Sequence, residues 1–239
     1  MKKKSGMLLI FLFIAALCYS QEKYIMFETT YITPKPGKSE DLKKGLNEHN
    51  TKWHAEGAYK VKMWQVMFGK HEGDFLWVMG PCTFTDLDTR PDDDAHNKDW
   101  EKIVEPYVEK YGQTNYWKIN DKLSYMQEKS DYKMSDITFY KVKAGQEYRF
   151  EEIFRKVVEV YKQKNYAYEM IFFESQFALG EAPEIVVLWH FDKWEWFDVD
   201  TGFKKMFEEV YGEGSWASLM KEYNEVVEYA LDEVIKVME

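Results

Sequence analysis

The residues of this sequence that could carry acid–base or metal chemistry near neutral pH are its five histidines, His49, His54, His71, His96 and His190. No HExxH, CxxC, GxSxG or glycine-rich phosphate-binding motif accompanies them. The sequence therefore lacks the usual signatures of metalloproteases, thiol-redox proteins, α/β-hydrolases and nucleotide-binding proteins. Any functional site has to be inferred from where single residues lie in the predicted fold.

His49 is the main candidate for a catalytic or ligand-binding residue. It falls on the apolar face of a predicted helix, where an imidazole can act as a hydrogen-bonding partner or as a general base. The alternative is a structural role, in which the ring nitrogens of a buried histidine are satisfied by the backbone or by a neighbouring hydroxyl group.

The other histidines give weaker indications. His190 ends a predicted strand and could orient a substrate or ligate haem iron, although a lone histidine is not a metal site and could simply cap the end of a barrel. His71 falls in a predicted hairpin loop and His96 follows three aspartates at positions 92–94. We expect both to be solvated. The aspartates beside His96 could hold a divalent cation, but we predict no metal site.

The elements that position these residues occur twice along the chain. Trp100 and Tyr107 are separated by six residues, as are Trp216 and Tyr223. Upstream of each pair a helical pattern follows a β-rich segment, with apolar-face residues Leu42, Leu46, His49 and Trp53 in the first copy and Phe150, Phe154, Val157 and Tyr161 in the second. Spacings of four, three and four residues place each set on one helix face.

Strand patterns complete each copy. Aromatic and β-branched segments at 59–68 and 166–177 precede short polar links at 69–74 and 178–184, which are typical of hairpins. The third strands, 75–79 and 185–189, are apolar at every position, which predicts burial on both faces. Last strands are predicted at 121–126 and 232–237.

Each copy is therefore predicted to fold as β-α-β-β-α-β, the ferredoxin-like arrangement. The predicted fold class is α+β, with a first unit at residues 21–130 and a second at 131–239. About eight strands are expected in total. We expect the two sheets to pack against each other in one α/β barrel with the helices outside.

The two copies differ where the helix faces the sheet. Gly45 and His49 stand where the second copy has Ile153 and Val157. The first copy should therefore have the roomier and more polar space, and we expect Gly45→Ile with His49→Val to fill it without disturbing the fold. The predicted ligand-binding residues are His49, Trp53, Trp64, Trp77 and His190.

The first residues are typical of a secretory signal. Lysines at positions 2–4 precede a short apolar run at 7–17, too short to span a bilayer as a helix. We predict a signal peptide at residues 1–20 and a secreted or periplasmic protein, with acylation of Cys18 as the alternative. Cleavage leaves Cys82 as the single cysteine and moves the net charge from −10 to about −13, because the segment removes three lysines. Nucleic acid is therefore excluded as an expected partner.

The order of the elements, with Phe27-Glu28, Lys35-Pro36-Gly37-Lys38 and Leu188-Trp189-His190-Phe191, resembles the NIPSNAP branch of the dimeric α/β-barrel superfamily. That superfamily also holds antibiotic-biosynthesis monooxygenases and haem-degrading enzymes. This chain has Thr30 where the NIPSNAP pattern usually carries Arg, and the Asn, Trp and His set of the haem-degrading relatives has no counterpart that can be assigned residue by residue.

Two functions remain open at this point. The first is binding of a small hydrophobic or aromatic ligand in the first unit, and the resemblance implies the second, a cofactor-independent monooxygenase or a haem-related enzyme. A purely structural interaction module is a third reading. A cavity holding His49 and a second titratable residue would favour an enzyme. We expect no cofactor, with haem as the alternative, no membrane span, and a monomer containing an internal pseudo-dimer.

Overall fold

A computed structural model describes residues 24–90, 93–127, 132–178 and 180–238. The predicted signal peptide at 1–20 and the unit boundary at 130 lie outside these residues. The strands are β1 (Met26–Pro34), β2 (Val61–Phe68), β3 (Phe75–Cys82), β4 (Val108–Tyr111), β5 (Asn115–Ile119), β6 (Met134–Val142), β7 (Ile171–Ser175), β8 (Ile185–Phe191) and β9 (Val227–Val237). The α-helices are α1 (Ser39–Trp53), α2 (Phe84–Asp88), α3 (Asp94–Ile103), α4 (Glu147–Lys164), α5 (Phe203–Tyr211) and α6 (Ser215–Val226).

Eight of these strands close into one antiparallel barrel. Their order is β1-β3-β2-β9-β6-β8-β7-β5, and β5 pairs with β1 to complete the ring. β4 lies beside the end of β1 as an additional strand. The prediction of one α+β barrel is confirmed, but the two halves join edge to edge through β2–β9 and β5–β7. Closure of this kind pairs the backbone groups that two separate sheets would leave open at their edges.

Alternation along the strands separates an inner core from two outer cores. The barrel interior is lined by apolar side chains that include Trp64, Leu76, Trp117 and Val186. Outside the barrel, α1 covers the first half through Leu42 and Leu46, and α4 covers the second half through Phe150, Phe154 and Val158.

The third strands contribute to both layers, as their continuous apolar pattern predicted. In β3, Phe75 belongs to the outer core and Leu76 to the inner one. In β8, Val187 belongs to the outer core and Val186 to the inner one. The strands that carry the candidate site are therefore held on two sides.

The predicted last strand at 232–237 is confirmed as part of β9, but the one at 121–126 is wrong. The first half ends its barrel strand earlier, with β5 at Asn115–Ile119. The side chain of Asn120 accepts hydrogen bonds from the backbone N–H groups of Lys122 and Leu123 at 3.1 and 3.3 Å, which turns the chain directly after the strand. Residues 121–126 keep one isolated bridge, between Tyr125 and Met170.

The repeated pair Trp100 and Tyr107 does not lie on one helix. α3 ends at Ile103, and Glu105–Tyr107 form a 3₁₀ turn. Pro106 cannot donate a backbone hydrogen bond and so opposes continuation of the helix. Among the described residues no helix is long and apolar enough to cross a membrane.

Candidate functional site

A cavity of about 740 Å³ lies between the outer face of the first half of the barrel and the helices α1 and α3. Volumes of this size are typical of small-molecule sites. Its wall is formed by Thr30, Ile32, His49, Trp53, His54, Tyr59, Trp77, Met79, Arg90, Asp93, His96, Asn97, Trp100, Glu101, Glu105 and Tyr111.

Three histidines converge on one side of this cavity. His49 is fully buried on the inner face of α1, and His54 caps the C-terminus of the same helix. His96 comes from the first turn of α3. Its Nε2 lies 3.2 Å from Nε2 of His49 and 3.1 Å from Nε2 of His54. One ligand atom from each ring can be chosen so that all three lie within 4.8 Å of one another.

The N-terminus of α3 positions His96 at this cavity. Asp93 caps the helix by accepting a hydrogen bond from the backbone N–H of Ala95 at 2.6 Å. His96 and Asp99 then follow at a spacing of three residues, on the same face toward α1. Asp93 therefore starts the helix, and its side chain is engaged as the cap.

Each helix-borne ring is fixed through its other nitrogen. Nδ1 of His49 lies 2.9 Å from Oδ2 of Asp99, and Nδ1 of His54 lies 2.9 Å from the backbone oxygen of Tyr59. Asp99 is itself held by Lys52, whose Nζ donates to Oδ1 at 2.8 Å, and by the indole N–H of Trp53 at 3.1 Å. Such partners select the ring orientation and the tautomer of a histidine.

The electrostatics keep these two rings neutral. Burial is the main cause that lowers the pKa of His49, and it lowers the pKa of His54 to about 4. Hydrogen bonds from Lys52, and then from His49 and Trp53, lower the pKa of Asp99 to about 2. Near neutral pH the site therefore presents uncharged imidazoles next to an ionised carboxylate.

No protein-family model matches the chain, and no curated protein matches it. Several solved structures do. A putative monooxygenase from Fusobacterium nucleatum subsp. nucleatum ATCC 25586 superposes with a TM-score of 0.59 at 11% identity, covering 91% of this chain and 94% of its own. A putative chlorite dismutase superposes with a TM-score of 0.55 at 8% identity, covering 91% and 96%. This is the dimeric α/β-barrel fold. A putative monooxygenase from Lactobacillus acidophilus NCFM agrees, with a TM-score of 0.54 at 9% identity over 91% of this chain and 100% of its own.

In this fold, the five predicted ligand-binding residues lie in two separate places. His49, Trp53 and Trp77 line the cavity between helix and sheet. Trp64 and His190 line a second cavity of about 390 Å³ inside the barrel. Because side chains alternate along a strand, Trp64 and His190 lie on the other side of the sheet from Trp77.

His190 is enclosed inside the barrel. Its Nδ1 lies 2.6 Å from Oγ of Ser135, and its ring stacks on Tyr132 at a centroid distance of 4.8 Å. Burial is the main cause that lowers the pKa of His190 to about 4. It faces the same side of β8 as Val186 and Leu188.

The contacts of His190 bear on haem, the alternative cofactor. At His190, Nδ1 is engaged by Ser135 and Nε2 lies 3.5 Å from Oε1 of Glu169. Nε2 would have to leave Glu169 before it could ligate haem iron.

Gly45 does not have the role predicted for it. A Cβ at this position would lie 2.0 Å from the backbone oxygen of Ile103. The glycine therefore allows α1 to approach the end of α3 closely, and it adds no empty volume to the cavity. The expectation that Gly45→Ile leaves the fold intact is wrong, because the branched side chain would meet backbone atoms.

The prediction that His71 and His96 are solvated is also wrong. His71 is half-buried, with Nδ1 2.6 Å from Oε1 of the buried Glu233. His96 is half-buried at the cavity. Sequence reasoning gives His54 no specific role, because positions 49 and 54 do not share a helix face. It misses Asp99, because 40 residues separate the end of α1 from the start of α3. A histidine at the predicted end of a helix was the only available signal.

Arg90 is a further cavity residue that sequence reasoning missed. Its Nη2 lies 2.5 Å from Oε2 of Glu28, a carboxylate on β1 that is 6% exposed. The pair places a guanidinium group in the cavity wall, held by a buried anion.

Proposed function

We propose that this protein binds a small aromatic or otherwise hydrophobic molecule in the helix–sheet cavity of its first half. The observation that supports this most strongly is the cavity itself, about 740 Å³ in volume and lined by Trp53, Trp77 and Trp100. Indole rings offer large apolar faces for a flat ligand, and a few polar groups among them can fix its orientation.

The polar groups of the wall indicate what such a ligand should carry. Arg90 offers a guanidinium group, and the histidines offer ring nitrogens on the same wall. A flat molecule with one carboxylate, phenolate or carbonyl oxygen matches this combination, because Arg recognises oxygen acceptors through several N–H donors.

Native mass spectrometry of the protein purified from its own host tests the proposal. We expect a retained small molecule on the unmodified protein. Glu101→Trp places a bulky side chain at the cavity wall and should abolish retention, whereas Lys102→Trp, on the exposed next position of α3, should leave it unchanged. Equal retention in both variants would place the ligand elsewhere.

One observation favours the alternative, a monooxygenase-type enzyme. The cavity contains not only His49 but also the titratable side chains of His54, His96 and Glu101, which is the condition that separates an enzyme from a simple carrier. Solved structures of the same fold include putative monooxygenases. Oxygen uptake with a panel of phenolic substrates, lost in His96→Gln and kept in His71→Gln, would support this alternative.

We also propose that the chain is a fusion of two ferredoxin-like units and acts as a monomer. The ring runs β5-β1-β3-β2 through the first unit and then β9-β6-β8-β7 through the second, so corresponding strands follow in the same order in both units. This supports an internal pseudo-dimer, and the NIPSNAP-like resemblance is consistent with it. Sedimentation equilibrium should give a monomer at micromolar concentration, and an obligate dimer would contradict this account.

Export remains a proposal that rests on residues 1–20. The basic start, the short apolar run, and the small residues Cys18 and Ser20 after it are typical of a cleaved signal. Mass spectrometry of the protein from its host should show a mature chain starting near Gln21, whereas an acylated Cys18 at the N-terminus would show the lipoprotein alternative.

A further inference from the structure

The three cavity histidines have a hydrogen-bonding problem that the protein alone does not solve. An ionised carboxylate and a backbone carbonyl can only accept, so the proton of His49 stays on Nδ1 toward Asp99 and that of His54 stays on Nδ1 toward Tyr59. The Nε2 atoms of these two neutral rings therefore carry no proton, and their lone pairs point toward His96.

His96 cannot satisfy both lone pairs as a neutral ring. It could donate one proton from Nε2, to either His49 or His54 but not to both. Its Nδ1 lies 3.1 Å from Oδ1 of Asn97, an acceptor that favours the proton on Nδ1 instead. In that tautomer three Nε2 lone pairs face one another, which is repulsive unless a cation lies between them.

We propose that His49, His54 and His96 bind one divalent first-row transition-metal ion through their Nε2 atoms. Two nitrogens bound tetrahedrally to Zn²⁺ at about 2.05 Å lie about 3.3 Å apart. The observed separations of 3.2 and 3.1 Å from His96 to its two neighbours are close to this value. Ligand atoms of all three rings can be chosen within 4.8 Å of one another, so rotation of the rings would bring the remaining pair to the same separation.

The surroundings have the features that such a site requires. The bond from Nδ1 of His49 to Asp99 forms a carboxylate–histidine pair that orients the ligand and makes it more basic. The bond from His54 to the carbonyl of Tyr59 does the same through the backbone. Glu101 and Glu105 add negative charge to the cavity wall, which favours entry of a cation.

The donor set also selects the class of ion. Three imidazoles suit Zn²⁺, Cu²⁺, Ni²⁺ or Co²⁺, whereas Mg²⁺ and Ca²⁺ prefer oxygen ligands. Three protein ligands leave a coordination position for water or for a ligand from the cavity, the pattern of a reactive rather than a closed structural site. This inference goes beyond the proposed function, since the metal site depends on the histidines and not on any organic molecule.

Titration calorimetry with Zn²⁺ on protein stripped with a chelator tests the site. We expect one Zn²⁺ per chain with a Kd below about 1 μM. His54→Ala and His96→Gln should each weaken binding more than about 100-fold, and Asp99→Asn about 10- to 100-fold. His71→Ala, a histidine bound to Glu233 away from the cavity, is the matched control and should bind normally.

Cobalt(II) gives a readout on the unmodified protein that does not depend on whether any variant folds. We expect visible d–d bands more intense than those of hexaaqua cobalt(II), lost when Zn²⁺ is added in excess. Absence of stoichiometric binding, or binding unchanged in both His54→Ala and His96→Gln, would overturn the proposal. Because the probes are metal ions alone, this failure is separate from failure of organic ligand retention in Glu101→Trp.

Discussion

The two helix-covered sides of the barrel fill the space under their helices differently. Under α1 there is a cavity of about 740 Å³ with three histidines on its wall. Under α4 the space is smaller, about 460 Å³, and Val157 lies where α1 has His49. There Phe150, Phe154 and Phe172 pack together with ring centroids 4.8 to 6.2 Å apart. One arrangement of elements thus supports an open polar site on one side and a packed aromatic core on the other.

Buried charge differs between the halves in the same way. Glu28 on β1 and Asp136 on β6 are 108 residues apart and occupy corresponding strand positions. Glu28 pairs with Arg90 from the cavity wall. Asp136 instead has the like charge of Asp232 nearby, and burial with this repulsion raises its pKa to about 6. The first half compensates its carboxylate with a cation that also faces the cavity.

The largest effect should come from emptying the packed side. Phe150→Ala removes a fully buried ring from contacts with Tyr140, Phe154 and Phe172. We expect the free energy of unfolding to fall by about 3–5 kcal/mol, the usual cost of such a cavity. Urea unfolding measures it, with Tyr148→Ala, 69% exposed on the same helix, as the control. Equal losses in both variants would mean that the second half is not the better-packed side.

Filling Gly45 should come next. The second half carries Ile153 at this position, buried at 3% exposure, but Gly45→Ala would place Cβ 2.0 Å from the backbone oxygen of Ile103. We expect a loss of about 3 kcal/mol, because α1 and the end of α3 must move apart. Thermal and urea unfolding should show it, and Lys44→Ala, on the exposed face of α1, should change stability little. If Gly45→Ala left the free energy of unfolding unchanged, α1 would tolerate a side chain at this position as α4 does at Ile153.

Much of the fold was readable from the sequence because its signals are local. The apolar spacing of α1 and α4, the polar hairpin links and the continuous apolar third strands all follow from a period of 3.6 or 2 residues. The end of the first half was not readable in this way. There a single side chain, Asn120, turns the chain after β5, while Pro106 ends the preceding helical run. Turn chemistry of this kind competes with a plausible strand pattern.

The candidate site was only partly predictable, for a different reason. His49 was found because a polar residue interrupts an apolar helix face. His54 and His96 join it through the turn after α1 and through the crossing of α3, and neither contact has a sequence spacing of its own. Gly45 shows the opposite error, since a missing side chain indicated empty space but reflects a close approach of backbone.

The contrast in buried charge predicts a pH-dependent effect of intermediate size. The pKa of Asp136 is raised in the folded state to about 6, so the folded protein holds a proton that the unfolded chain releases between about pH 4 and 6. Stability therefore falls as pH rises through this window.

Asp136→Asn should remove that loss. We expect the change that it causes in the free energy of unfolding to be about 2 kcal/mol more stabilising at pH 7.5 than at pH 4. Urea unfolding at the two pH values gives the difference. Asp232→Asn is the comparison, since it removes the repulsion while its amide oxygen can still accept the bond of 2.8 Å from Thr138. A gain of equal size at both pH values would show that Asp136 is not the titrating group.

The smallest effect should come from Asn50, next to His49 on the buried face of α1. Both polar atoms of its side chain are buried without a hydrogen-bond partner among the described residues, while the corresponding residue of α4 is the apolar Val158. Asn50→Val should raise the free energy of unfolding by about 1 kcal/mol, because a buried polar group without a partner destabilises the fold. Lys44→Val, at an exposed site of α1, measures the cost of a β-branched residue in this helix. Lower stability together with weaker Zn²⁺ binding would instead mean that Asn50 supports the histidine site, and the difference between the two halves would then extend one residue further along the helix.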